Sequence, residues 1–180
     1  MDGYGEWSFI LCDFQIEKIE AYHNVMEEKH VCSFKNIARI GSMLYLGTMG
    51  QGIISFDTQT KEFARFVDVG CNVISSLSGD GKSLLYVGTD GNGVHFVSTD
   101  KKKVVRSMRH ETGKDETLRS NSVYSVLVDK EGLILGRILS AGVGLHIISE
   151  WAVLHLYVCS FFLIPEICQY VHLLSKRKRN

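Results

Sequence analysis

LYLGTMGQGIISFD at 44–57 and LYVGTDGNGVHFVS at 85–98 are two copies of one pattern: apolar, Tyr, apolar, Gly-Thr, x, Gly, x, Gly, apolar. Tyr45 matches Tyr86, Gly47 matches Gly88, Thr48 matches Thr89, and the later glycine pairs 50/91 and 52/93 also agree. That much identity sets a period of roughly 40 residues. The flanks repeat as well. NIARIGS (36–42) precedes the first copy, NVISSLSGDGKS (72–83) precedes the second, and NSVYSVLVDKEGLI (121–134) opens a third. FILCDFQIEKIEAY (9–22) resembles IISFDTQTKEFARF (53–66) and reads as the back half of an earlier copy.

One unit can be read strand by strand. A β-rich run at 73–78 is followed by Gly79-Asp80-Gly81-Lys82, where Asp-Gly suits a type I′ hairpin turn. Strands at 84–89, 94–98 and 103–108 follow, separated by Asp90-Gly91-Asn92-Gly93 and Thr99-Asp100-Lys101. Four short antiparallel strands per period are the pattern of a β-propeller blade. The fold class expected is therefore all-β: a partial propeller with blade parts at about 8–24, 36–67, 72–108 and 121–134. Since a propeller ring takes roughly four to eight blades, these two full blades plus parts imply a fragment with apolar end faces.

Composition agrees. The chain has 180 residues, 45% hydrophobic and 22% charged, with 17 glycines and a single proline. That suits one globular unit rich in tight turns and excludes collagen-like, disordered or disulfide-stapled classes. Lys plus Arg and Asp plus Glu number 20 each, so no overall field favours nucleic acid or membrane. Five cysteines without a C-x-x-C pair read as buried free thiols. The opening MDGYGEW has neither the basic region nor the apolar core of a signal peptide.

The repeat resembles the two-component regulator propeller repeat. In the middle copy the match rests on Val73, Leu77, Asp80, Leu85, Tyr86, Gly88, Thr89, Gly91, Gly93 and Val94. In the last copy it rests on Val123, Ser125, Leu127, Asp129, Gly132, Leu133 and Ile134. The resemblance covers about 8–134, departing from the family in lacking a proline near the start of the strands. In that family such blades form the periplasmic sensor of hybrid two-component histidine kinases from glycan-using gut bacteria. The resemblance thus implies an oligosaccharide ligand, a homodimeric parent and a periplasmic parent region. No kinase, receiver or DNA-binding domain is read in this chain, so alone it is not expected to signal. The alternative from another class is a propeller scaffold for protein partners, and a third is a propeller lyase or glycosidase.

After Ile134 the resemblance stops. The family continues Trp, apolar, Gly; here stand Leu135, Gly136 and Arg137. Plausible codons for Leu135 onward, read one base later, give Trp-Val-Gly-Phe-Tyr-Gln-Gln-Gly-Leu-Asp-Tyr, a credible blade continuation. Residues 135–180, apolar and net basic, are accordingly expected to be an out-of-frame tail, non-native or helical. The rivals are a membrane or interfacial helix at 151–164, which at 14 residues falls short of the ~20 needed to span, and a native soluble helix.

No catalytic, cofactor-binding or metal residue is expected, and no cofactor; the ligand-binding residues are left open. SGDGKS (78–83) lacks the first glycine of a P-loop, since Ser76 stands there. GTMGQG and GTDGNG precede strands rather than a helix, so turn glycines are preferred to a phosphate loop. His110-Glu111 lacks the rest of a phosphoacceptor box, and His23 and His30 lack partner ligands. Asp90 lacks the spaced acids of a calcium loop. Asp13, Asp57 and Asp90 fall at turns or strand ends, which suits structure better than catalysis. Lys101-Lys102-Lys103 is read as a solvated strand edge rather than a nucleic-acid contact.

Overall fold

The structure is a computed structural model. It describes residues 8–13, 18–23, 33–114, 117–128, 134–140, 142–148 and 153–157, with side chains over 33–114 and 117–128. Every regular element among them is a strand. The first sheet pairs β1 (Ser8–Asp13) with β2 (Lys18–His23). The second runs β3 (Phe34–Ile40), β4 (Met43–Thr48), β5 (Ile53–Asp57), β6 (Phe63–Arg65). The third runs β7 (Ile74–Gly79), β8 (Leu84–Thr89), β9 (Val94–Ser98), β10 (Lys103–Met108). The fourth runs β11 (Val123–Val128), β12 (Ile134–Ser140), β13 (Gly142–Ile148), β14 (Val153–Tyr157). Each four-stranded sheet is an antiparallel meander in chain order, the arrangement expected of propeller blades.

Register carries the repeat into three dimensions. Ala38 pairs with Tyr45, and Ser78 pairs with Tyr86. The half copy obeys the same rule: Ile10↔Ala21 and Cys12↔Ile19 are the counterparts of Ile54↔Arg65 and Phe56↔Phe63. β1 and β2 therefore take the places of third and fourth strands.

Sheets stack through their faces. Ala38, Tyr45 and Ile53 of the second sheet bury against Ile74, Leu77 and Val87 of the third. Tyr86, Val94 and Phe96 bury against Val123 and Val126 of the fourth, with Leu118 from the connection between them. Each fully buried aliphatic side chain contributes about 1.5–3 kcal/mol. The second-strand glycines decide how closely sheets approach. A Cβ added at Gly47 would lie 2.8 Å from Ile74 Cγ2 and 3.3 Å from Leu77 Cδ1. At Gly88 it would lie 3.1 Å from Val126 Cγ2 and 3.2 Å from Val123 Cγ1. Each glycine is thus a socket, and the innermost strand of the next sheet fills it.

Two expectations need correction. The turn at 80–83 is not type I′, because Asp80 does not take positive φ; among its residues only Gly81 does, at 73°. Instead Asp80 Oδ1 accepts the backbone N–H groups of Lys82, Ser83 and Leu84 at 2.8, 3.0 and 2.9 Å, holding a wider loop. Beyond residue 134, the tail expected to be non-native or helical carries strands at 134–140, 142–148 and 153–157 among the described residues. The open edge of β11 offers unpaired backbone groups, and an apolar run rich in Ile, Leu and Val satisfies them as added strands. Residues 158–180 lie outside the described residues, as does most of the candidate interfacial segment. Among the described residues no helix is long and apolar enough to cross a membrane.

Candidate functional site

The innermost strands β3, β7 and β11 lie side by side. Each carries one register shift near its start: between Phe34 and Asn36, between Ile74 and Ser76, and between Val123 and Ser125. The extra residues are Lys35, Ser75 and Tyr124, one per sheet at the same place. A bulge bends its strand and re-aims the inserted side chain. All three line a single cleft of about 320 Å³, with Asn36, Met49, Asp90 and Val123. Met49 and Asp90 are themselves equivalent, each following the repeat threonine.

The G-T-x-G-x-G turns build the wall of this cleft. Thr48 Oγ1 donates to the Gly52 carbonyl at 2.8 Å and accepts from the Gln51 N–H at 2.9 Å. Thr89 does the same with Gly93 and Asn92 at 2.8 and 3.1 Å. The turn amides then reach the next sheet. Gly50 and Gly52 both donate to the Asn72 carbonyl at 2.9 Å, and Gly91 and Gly93 donate to the Asn121 carbonyl at 3.1 and 2.8 Å. These glycine N–H groups staple one sheet to the start of the following one, so they are not available to cradle a phosphate.

Polar side chains tie the inner strands together under the cleft. Asn36 Nδ2 donates to the carbonyls of Ser75 and Ile74 at 2.8 and 3.3 Å. Ser75 Oγ donates to the Val123 carbonyl. Ser76 Oγ accepts the Val126 N–H at 2.9 Å. Above this layer, Lys35, Asp90, Met49 and Tyr124 are exposed. Lys35 and Asp90 have no ion-pair partner among the described residues. The cleft offers one ammonium, one carboxylate, an aromatic face and a thioether. Such a mixture hydrogen-bonds donors and acceptors alike while covering an apolar ligand face, and it carries no net charge to select an ion.

The remaining sequence candidates have structural places. His110 lies in the connection before β11; its Nδ1 meets the Leu118 carbonyl at 2.5 Å, and its N–H donates to Asn121 Oδ1 at 2.7 Å. Glu111 pairs with exposed Lys114, which holds the carboxyl below and the ammonium above their usual ranges. Asp57 and Asp90 sit at opposite ends of their sheets, for Asp57 pairs with Met43 whereas Asp90 follows Thr89. Lys101, Lys102 and Lys103 are exposed at a turn. Cys71 is half-buried, its thiol 3.5 Å from the carbonyls of Val73 and Asp90. The side chains of Asp13, His23, His30 and the other four cysteines lie outside those described.

His95 on β9 was not singled out by its sequence context. It is 1% exposed, with Nδ1 2.8 Å from Ser107 Oγ and no partner for Nε2 among the described residues. Its counterpart in the second sheet is Ile54, so the repeat itself marks it as an anomaly. Burial depresses its pKa, Arg109 depresses it further, and the Asn92 backbone works the other way.

No family model matches the chain, and no curated protein sequence matches it. Solved structures do. The extracellular domain of BT4673 from B. thetaiotaomicron, assigned to a hybrid two-component system, is 16% identical, with 80% of this chain and 21% of that one covered at a TM-score of 0.60. The extracellular domain of BT3049 from the same organism, likewise assigned, is 18% identical over 78% of this chain and 20% of that one, TM-score 0.56. The Cps50 (Swd1) β-propeller domain of Myceliophteria thermophila is 17% identical over 69% and 40%, TM-score 0.50. The chain spans about a fifth of the two sensor domains. What it shares with all three is the fold, stacked four-stranded propeller blades.

Proposed function

We propose that this chain is part of the ligand-sensing propeller of a hybrid two-component sensor kinase, and that its ligand is an oligosaccharide. The parent would place this region in the periplasm, form a homodimer and transmit by preferring one dimer arrangement when ligand is bound. Its chemistry would lie in a kinase domain elsewhere; no residue here is assigned a catalytic role. The observation that carries the reading is the cleft. Around it the repeat keeps tyrosine, glycine and threonine, whereas the bulge residues Lys35, Ser75 and Tyr124 and the pair Met49 and Asp90 differ at equivalent positions. Geometry that repeats while identity diverges suits a recognition surface. A pyranose would lay its C–H face on Tyr124 and its hydroxyls toward Lys35, Asp90 and Asn36. The likeness to the BT4673 and BT3049 domains supports the same reading. Calorimetric titration of the chain with neutral di- to tetrasaccharides tests it. Binding that weakens at least tenfold in Tyr124→Ala and Asp90→Asn is expected; no binding across the panel, or binding indifferent to both changes, contradicts it.

The same parent explains the sequence after Ile134 as an out-of-frame reading. By register Leu135, Gly136 and Arg137 occupy the places of Tyr45/Tyr86, Leu46/Val87 and Gly47/Gly88. Codons chosen within the degeneracy of these residues, read one base later, put Trp, Val and Gly at those three places. Sequencing the locus in all three frames decides it: further propeller repeats in the shifted frame are expected, and their absence overturns the frameshift.

A further inference from the structure

The turns Met49-Gly50-Gln51-Gly52 and Asp90-Gly91-Asn92-Gly93 share one hydrogen-bonded geometry but not one chemistry. Asn-Gly is the dipeptide most prone to closing a succinimide, because glycine has no side chain to shield its backbone nitrogen. Gln51 would have to close a six-membered ring, a far slower reaction. At Asn92 the groups that would react are held apart. The nucleophile, the Gly93 nitrogen, donates its hydrogen to the Asn121 carbonyl at 2.8 Å. The leaving group, Nδ2 of Asn92, donates to the Val69 carbonyl at 2.7 Å. The Asn92 N–H is held by Thr89 Oγ1 at 3.1 Å. Two of these acceptors lie outside the third sheet: Val69 in the connection before β7, and Asn121 just before β11. Asn121 is itself fixed, since its Oδ1 accepts the His110 N–H at 2.7 Å.

From these contacts we infer that Asn92 is a deamidation site gated by the docking of the sheets. It stays intact while the Asn121 and Val69 carbonyls hold the turn, and it reacts when they leave. The Gly93 nitrogen then gives its proton to solvent base and bonds to Asn92 Cγ. The Cγ–Nδ2 bond breaks, and Nδ2 takes up a proton and leaves as ammonia. Water opens the succinimide at either ring carbonyl, giving aspartate or isoaspartate at position 92. Aspartate turns a carboxylate oxygen toward the Val69 carbonyl, where a donor stood before. Isoaspartate adds a methylene to the main chain inside the turn. Either product resists re-docking, and the same turn carries Asp90 of the cleft. Deamidation is thus a one-way record that the sheets have separated, whatever the cleft binds.

The test uses the full chain in mildly alkaline buffer, with each asparagine followed by peptide mapping and isoaspartate confirmed by enzymatic methylation. In urea, Asn92 is expected to convert faster than Asn36, Asn72 or Asn121. In native buffer it should convert at least tenfold more slowly than in urea. Val126, 4% exposed, packs against Gly88 across the seam between the third and fourth sheets. Val126→Ala should speed native conversion at least threefold and leave the rate in urea unchanged. The parent chain gives a second reading that needs no variant: below the unfolding midpoint, Asn92 conversion and Gly93 amide exchange should rise together with urea. Modified chain returned to native buffer should lack amide protection at Gly91 and Gly93. Equal rates in native buffer and urea, an inert Asn92 in urea, conversion that does not follow Gly93 exchange, or full protection regained after modification overturns the proposal.

Discussion

The third and fourth sheets have the same strand order, the same bulge near the start of the inner strand and the same register, yet differ where a neighbouring sheet must dock. In the third sheet, Gly88 lets Val123 and Val126 approach; at that register the fourth sheet has Arg137. The difference separates two requirements. Apolar β-formers with unpaired edges suffice to extend a sheet, whereas stacking one sheet on the next needs a particular small residue at a particular place. Strand pairing is tolerant, and sheet docking is not.

Substitutions can test this contrast. Gly88→Arg gives the third sheet the residue of the fourth, and it should have the largest effect, more than about 4 kcal/mol, because a charged side chain is driven into a buried seam. Its check is loss of cooperative unfolding in urea. Gly93→Ala comes next. Gly93 has φ of 82°, and an added Cβ would lie 2.2 Å from the Met108 carbonyl oxygen. Its counterpart Gly52, at φ 73°, has only a carbonyl at 4.0 Å. Gly52→Ala should cost about 1–2 kcal/mol and Gly93→Ala about 2–5 kcal/mol by chemical denaturation. Leu77→Ala should cost about 2–5 kcal/mol, against less than about 0.5 kcal/mol for Ile37→Ala, since one side chain fills a socket and the other faces solvent.

The smallest effect concerns pH. The His95 pKa is depressed below 6.5 in the folded chain, so the unfolded chain takes up the proton more readily. The stabilising contribution is full above pH about 6.5 and is lost as pH falls through the lower folded value. Melting temperature should therefore decline on the acid side. His95→Ile, which restores the residue type of Ile54, should flatten that decline; an unchanged slope would show that other groups control it.

Much of the fold was legible because blade geometry writes itself into glycines. The sockets at Gly47 and Gly88 and the turn glycines have fixed spacing, and the strands beside them, buried on both faces, read as short, mostly apolar runs. The loop at Asp80 was misread because Asp-Gly suits both a type I′ turn and a wider loop held by the carboxylate, and only backbone angles tell them apart. The strands β12–β14 were missed because a long apolar run carries no period that separates helix from buried strand. The cleft was harder still. A bulge leaves no residue signature, so nothing in Lys35, Ser75 or Tyr124 alone marks them as equivalent; the register does. In retrospect the signal was divergence at matched positions of the repeat, and the same comparison exposes His95 opposite Ile54.

The claim beneath all of this is that glycine sockets hold successive blades together, and Gly47 with Ile74 tests it most directly. Gly47→Ala puts a methyl group 2.8 Å from Ile74 Cγ2, and Ile74→Leu removes that branch while nearly conserving volume. In a double-mutant cycle by urea denaturation of the full chain, Gly47→Ala alone should destabilise by about 1–3 kcal/mol. Adding Ile74→Leu should recover part of that loss, a coupling of about 0.5–3 kcal/mol. Strictly additive costs, or a Gly47→Ala chain as stable as the parent, would contradict the account.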